Sequence, residues 1–188
     1  LAYFEIMQSS ILELPEVKLT KISVKDYEFL CRENPTQYEK TELFEGVIVE
    51  KMTKSNEHDF YSQELNELIQ EVLPRGYFIR RESSIHLLDS DFEPDILVLR
   101  GNNKEYRFQK PETARLIVEI SISSLNYDRE KAKAYAKGNV EEYWIVDVTN
   151  KKVEVYTNPQ NGNYLDKKSF DFQNEIPVFG KQISLKNT

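Results

Sequence analysis

EPDILVLRGNNKEYRFQKPETARLIVEIS, residues 93–121, holds the two segments that decide the fold. DILVLR (95–100) and RLIVEIS (115–121) are near-continuous apolar runs, which mark strands buried on both faces. Each carries a carboxylate, Asp95 at the start of the first and Glu119 inside the second. Residues two apart on a strand share a face, so Glu119 sides with Ile117 and Ser121, away from Leu116, Val118 and Ile120. A buried acid has to be paired, protonated or bound to a metal. Two such acids repel each other, and a hard dication with oxygen ligands, Mg²⁺ or Mn²⁺, relieves the repulsion. The competing reading has Asp95 capping the loop after Pro94 and Glu119 paired with an arginine.

A polar loop, GNNKEYRFQKPET, separates the two strands. After them the pattern predicts a helix over 127–137, ended by Gly138 as a C-cap. EYWIVDV (142–148) reads as a further strand, and the segments up to Ile183 as a β-hairpin or edge strands. Before them, YFIRRESSIHLL (77–88) reads as one strand, with a turn at Asp89-Ser90-Asp91. A helix is expected over 57–72, because Phe60, Tyr61, Leu65, Leu68, Ile69 and Val72 recur at threes and fours. Pro74 and Gly76 stop it. TELFEGVIVEKMT (41–53) reads as two short strands turning at Glu45-Gly46. Ser23 resembles an N-cap, with Asp26 three residues later and an apolar run behind it. Residues 1–22 then form an N-terminal extension and 23–188 a single domain. The fold class is α/β, a mixed central β-sheet flanked by helices with extra β-strands at the C-terminus.

Bulk properties bound the function. The 188 residues are 39% hydrophobic and 30% charged, an ordinary globular composition. No apolar run approaches the roughly 20 residues of a membrane helix. The N-terminal LAYFEIMQSSILEL has acids inside its apolar stretch and no basic flank, so it reads as neither signal peptide nor anchor. Cys31 is the only cysteine, which excludes an internal disulfide and a Cys-rich zinc site and fits a cytoplasmic protein. The net charge of −7 argues against a generic nucleic-acid coat but not against an enzyme with a local basic track.

The helix after Glu119 supplies candidate cations. Lys131 and Tyr135 lie one turn apart and share a face. Lys133 points about 200° around the axis from Lys131, so only one of the two readily reaches the acids. A lysine there can orient or deprotonate a water, or offset charge at phosphorus. The alternative is a solvated helix face with Asp128 and Glu130. His58, at the start of the first long helix, is either a cap or a site residue. His86 lies in a strand-like stretch and is the weaker candidate.

Taken in order, these segments resemble the Uma-type restriction endonuclease family, within the PD-(D/E)XK nuclease superfamily. ELFEGVIVEKMT followed by His58 looks like the family's glutamate-glycine hairpin and histidine. EPDILVL looks like its Pro-Asp strand. LIVEIS and SSLNYDREKAKAYAKGNVEEYWIVD look like its acid strand, lysine helix and closing strand. The match runs from about Ser23 to Val148. The resemblance implies a restriction-endonuclease-like core with Asp95 and Glu119 as metal-binding acids. Ser121 stands where the superfamily often has lysine, so the lysine looks displaced to Lys131, with Lys133 as the fallback. Glu45 and His58 sit near the site by similarity. Lys54 stands where relatives commonly show proline.

The expected activity is metal-assisted hydrolysis of phosphodiester bonds in DNA. Asp95, Glu119 and a backbone carbonyl near Ile120 would hold Mg²⁺ or Mn²⁺, with His58 completing the set. Lys131 would orient the water or offset charge, and Arg80, Arg81, Arg100, Lys104 and Arg107 would contact phosphates. The competing class is a catalytically inactive nuclease fold that binds DNA or a protein partner. A third is a structural protein whose acids form core ion pairs, which the two acid-bearing apolar strands argue against. A homodimer is expected by analogy, with Trp144 and the β tail as apolar contact.

Overall fold

The structure of the protein is a computed structural model in which residues 18–186 are described. Residues 1–17, most of the expected N-terminal extension, lie outside the described residues.

The first described elements form around side-chain caps. Helix α1 (Val24–Glu33) starts at Ser23, whose hydroxyl accepts from the Asp26 amide while the Asp26 carboxylate accepts from the Ser23 amide. This is the expected capping box. A one-turn helix, α2 (Pro35–Tyr38), follows. Strands β1 (Thr41–Phe44) and β2 (Val47–Glu50) pair through the turn at Glu45-Gly46. Both turn residues have positive φ, 46° and 81°. A Cβ on Gly46 would lie 2.7 Å from the Lys21 Cβ and 3.1 Å from the Ile22 carbonyl oxygen. Gly46→Ala is therefore expected to destabilise the fold by about 1–3 kcal/mol, because strain and crowding add. An unchanged midpoint in urea unfolding would contradict that.

Helix α3 (Asn56–Val72) begins at Ser55, whose hydroxyl accepts from the His58 amide. The cap fixes the first turn and so the place of His58. Strand β3 (Tyr77–Arg81) ends earlier than the sequence suggests. Glu82 takes φ 47° and redirects the chain, so 77–88 forms two strands in two different sheets. Alternation and β-branched residues carry no mark of that break. The second piece is β4 (Ile85–Leu87), which pairs with β5 (Ser90–Phe92).

Next come β6 (Ile96–Arg100), β7 (Leu116–Ser121), helix α4 (Leu125–Lys137) and β8 (Glu142–Asp147). A long hairpin follows, β9 (Lys152–Gln160) and β10 (Asn163–Asp171). Short β11 (Ile176–Val178) and β12 (Lys181–Ile183) close the chain. The central sheet has the order β10-β9-β8-β7-β6-β3, and a four-stranded sheet has the order β2-β1-β5-β4. Within the central sheet β7 and β8 are parallel and the other pairs antiparallel. The parallel pair needs a crossover, which α4 supplies. This is the expected mixed sheet with flanking helices and added C-terminal strands.

Strand parity sorts the core into two layers. Ile96, Val98, Leu116, Val118 and Ile120 pack against Tyr61, Leu65 and Ile69 of α3. Leu97, Leu99, Ile117, Tyr143 and Ile145 face Ala132, Ala134 and Tyr135 of α4. Burying each Leu or Ile is worth about 1.5–3 kcal/mol, so both helices are held firmly. Glu119 shares the parity of Ile117 and therefore the α4 layer. Trp144 belongs to the α3 layer, is fully buried and donates its indole N–H to Glu142. It cannot supply the dimer contact expected of it, because a strand buried on both faces keeps its largest ring inside.

Candidate functional site

The β6–β7 register pairs Ile96 with Val118, and one step further sets Asp95 opposite Glu119. Directly opposed strand residues have Cβ atoms about 4.5–5.5 Å apart. The register thus directs the two acids toward each other, Asp95 from the bend just before β6 and Glu119 from within β7, and both are buried.

Asp95 is held from three sides. Its Oδ2 accepts from the Ile120 amide at 2.8 Å and from His58 Nε2 at 3.1 Å. Its Oδ1 faces Lys54 Nζ at 2.9 Å. Burial opposes the ionised form, but His58, Lys54 and the Ile120 amide outweigh it and lower the carboxyl's pKa. The same contact raises the His58 pKa against its burial. His58 Nδ1 meets Asp59 at 3.4 Å. Both ring nitrogens therefore have acidic partners, and His58 orients Asp95 rather than presenting a free nitrogen.

Ile120 contributes through its backbone. The Ser121 carbonyl accepts from Val148 on the β8 side. Alternation turns the Ile120 amide and carbonyl the other way, toward Asp95, where the amide is found.

Glu119 is held by α4. Its Oε1 accepts from Lys131 Nζ at 3.1 Å and from the Tyr135 hydroxyl at 2.8 Å. Burial, joined by repulsion from Asp95, Asp128 and Glu42 and only partly offset by Lys131, pushes its carboxyl up to about 8. Lys131 also pairs with Glu42 at 3.0 Å and lies over the rings of Tyr127 and Phe92. Burial would lower its pKa, but Glu119, Glu42 and Asp128 prevail and raise it. Lys133 is exposed and meets Glu130, at 3.7 Å. Of the two candidate lysines, Lys131 is the one at the acids.

Four residues were not singled out for the site from the sequence. Glu42 is buried on β1, holds Lys131 and accepts from the Tyr127 hydroxyl at 2.5 Å. Asp128 is buried and accepts from Ser124 at 2.5 Å, with its pKa raised chiefly by burial. Tyr127 and Lys54 complete the group. Signals existed for the first three: Glu42 is another acid on a short apolar strand, and Tyr127 and Asp128 precede Lys131 by four and three residues. Lys54 sits in a loop with no periodicity to place it.

Other expectations are redistributed. Glu45 does not line the site, because the turn sends its side chain to Lys137 at the far end of α4. Arg81 stands at the Asp95 end of the sheet, opposite Ile96, and bonds Gln63 and Ser62. Arg80 bonds Asn103 and the Tyr106 carbonyl. Arg100 lies at the opposite end of β6 and pairs with Glu141. His86 pairs with Asp91 and Glu28. Those three residues are the grouping of metal-type side chains found among the described residues, with ligand atoms within 4.8 Å of one another. Lys110 already supplies it with a counter-charge, at 2.7 Å from Asp91 and 3.3 Å from Glu28.

The site encloses a cavity of about 160 Å³. Five carboxylates line it, Glu42, Glu93, Asp95, Glu119 and Asp128, against three lysines, Lys51, Lys54 and Lys131. His58 adds one positive charge only when protonated. Burial is the main reason the Glu119 pKa is raised, and the neighbouring acids of this negative excess add to it. Two acids and a backbone carbonyl form an all-oxygen donor set, so the residues fit a hard divalent cation.

Among the described residues no helix is long and apolar enough to cross a membrane. A comparison with curated proteins finds no match. A solved structure titled as a putative nuclease belonging to DUF820, from Anabaena variabilis ATCC 29413, has a similar fold, with a TM-score of 0.67. The two chains are 21% identical, and the alignment covers 78% of this chain and 88% of that one. The family model Uma2, described as "Putative restriction endonuclease", matches residues 24–185. Spanning all of α1 to β12, that match shows that the chain belongs to the Uma2 family.

Proposed function

We propose that the protein is a metal-dependent endonuclease that hydrolyses phosphodiester bonds in DNA. Asp95, Glu119 and the Ile120 carbonyl would hold Mg²⁺ or Mn²⁺. The observation that carries the reading is the pair of opposed buried acids with Lys131 fixed beside them. The bound ion supplies Lewis acidity, which makes water a better nucleophile and offsets charge on the phosphate.

The chain's own groups have separable tasks. Lys131 keeps its proton at neutral pH, so it offsets charge at phosphorus and does not act as a base. Glu42 and Tyr127 position it. His58 fixes the rotamer of Asp95 and keeps that acid ionised. Arg81, at the same end of the sheet, would meet a backbone phosphate without reading sequence.

Plasmid and single-stranded DNA incubated with Mg²⁺ or Mn²⁺ test this, beside an Asp95→Ala/Glu119→Ala double variant. Cleavage that needs the ion and vanishes in the double variant is expected. Equal cleavage by both proteins defeats the assignment. One observation favours a binding module instead: Asp95 Oδ1 is already engaged by Lys54. Calorimetry with Mn²⁺ decides between them, since wild-type protein that takes up no ion would leave only the module.

A further inference from the structure

We infer that Lys54 is a built-in cation that competes with the divalent ion for Asp95 Oδ1 and thereby sets the metal affinity of the site. The inference rests on the metal-site reading above. Asp95 has two oxygens, and Oδ2 is spent on the Ile120 amide and His58. Oδ1 is the one left for an ion, and the Lys54 ammonium stands on it at 2.9 Å. An ammonium and a metal ion cannot share that lone pair and the same space.

Lys54 is also built to leave. Its side chain is 37% exposed, whereas that of Asp95 is 5% exposed. A second acceptor lies outside: Glu82 Oε1 at 3.0 Å, on a residue that is itself 48% exposed. When an ion takes Oδ1, Lys54 keeps Glu82 and stays at the cavity mouth. The tether is short, because the next residue, Ser55, caps α3. Displacement therefore costs one ion pair and no rearrangement of the helix that carries His58. Lys131 has no such exit, being buried between two acids.

Lys51 provides the control. It lines the same cavity with the same charge but pairs with Glu93 at 2.6 Å, not with Asp95. Mn²⁺ binding is measured by calorimetry on the full chain for wild type, Lys54→Met and Lys51→Met, with thermal melting to confirm folding. Lys54→Met is expected to bind Mn²⁺ about tenfold tighter, or about 1.4 kcal/mol. Lys51→Met should change the affinity less than twofold, and Lys54→Arg, which keeps the charge, should not tighten binding. Unchanged or weaker binding by Lys54→Met overturns the inference while leaving the metal site standing. Equal tightening by both Met variants also overturns it, because a general field would then suffice. Absence of binding by wild type and Lys54→Met alike defeats the metal site and this inference together.

Discussion

Glu119→Gln is expected to abolish ion binding and slow DNA cleavage by about a thousandfold, equivalent to the several kcal/mol a metal supplies to such a reaction. The same change should stabilise the metal-free protein at alkaline pH. Glu119 is pushed up to about 8 by burial, above its ordinary value of 4.5. Between those values the folded chain holds a proton that the unfolded chain has released. Stability of the metal-free wild type must therefore fall as pH rises from about 5 to 8. The loss attributable to Glu119 is on the order of a few kcal/mol. Glutamine has no proton to lose, so this part of the slope disappears in the variant. Its amide still accepts from Lys131 and Tyr135 through the carbonyl oxygen. Urea unfolding with chelator at pH 5 and pH 8 reads the effect. Saturating Mg²⁺ should restore the wild type at pH 8 by mass action and leave Glu119→Gln unmoved. A variant that is less stable than wild type at pH 8, or that still cleaves in Mg²⁺, would show that Glu119 is a structural partner of Lys131 alone.

How much of this site was legible in the sequence depended on whether a residue lay on a periodic element. Asp95 and Glu119 were legible because an acid inside an apolar run breaks the rule that the run itself establishes. Lys131 became the choice over Lys133 through the family resemblance, since spacing alone said only that one of them would reach. In the structure the 131–135 face meets β7 and Lys133 points to solvent. Glu45 is expected near the site through the family resemblance of its glutamate-glycine hairpin, whereas it is Glu42, on the strand before that turn, that faces inward. Lys54 and the Glu82 kink are properties of loop conformation, which local pattern does not encode. The fold followed the same division. Strand and helix identities came from apolar periodicity, whereas the division of 77–88 between two sheets is decided by tertiary pairing.

Lys131→Met is expected to destabilise the metal-free protein by about 3–5 kcal/mol at pH 8, because it strips the counter-charge from a buried acid group. For a chain of this size that is a melting shift of about 10 °C. Methionine keeps the length and the apolar stem, so contact with the Phe92 ring survives and the loss reports on charge. Glu42 and Glu119 are left facing each other across the vacated position. Protonation relieves that repulsion, so the penalty should shrink toward pH 5, where Glu119 carries its proton. Adding Glu42→Gln to Lys131→Met should recover part of the stability at pH 8, and the double-mutant cycle measures the coupling. Lys133→Met, on the exposed side of the same helix, should change stability by less than about 0.5 kcal/mol. Cleavage by Lys131→Met in saturating Mg²⁺ should fall by about 10²–10³, since the ion restores the fold but not the ammonium beside the phosphate. Stability lost with cleavage intact would confine Lys131 to holding the acids. Cleavage lost with stability intact would mean that Glu42 and Glu119 share a proton when the lysine is gone. Loss of both, with only stability recovered by the ion, separates the two duties of one buried ammonium: countercharge for the empty site and charge offset at phosphorus once substrate is bound.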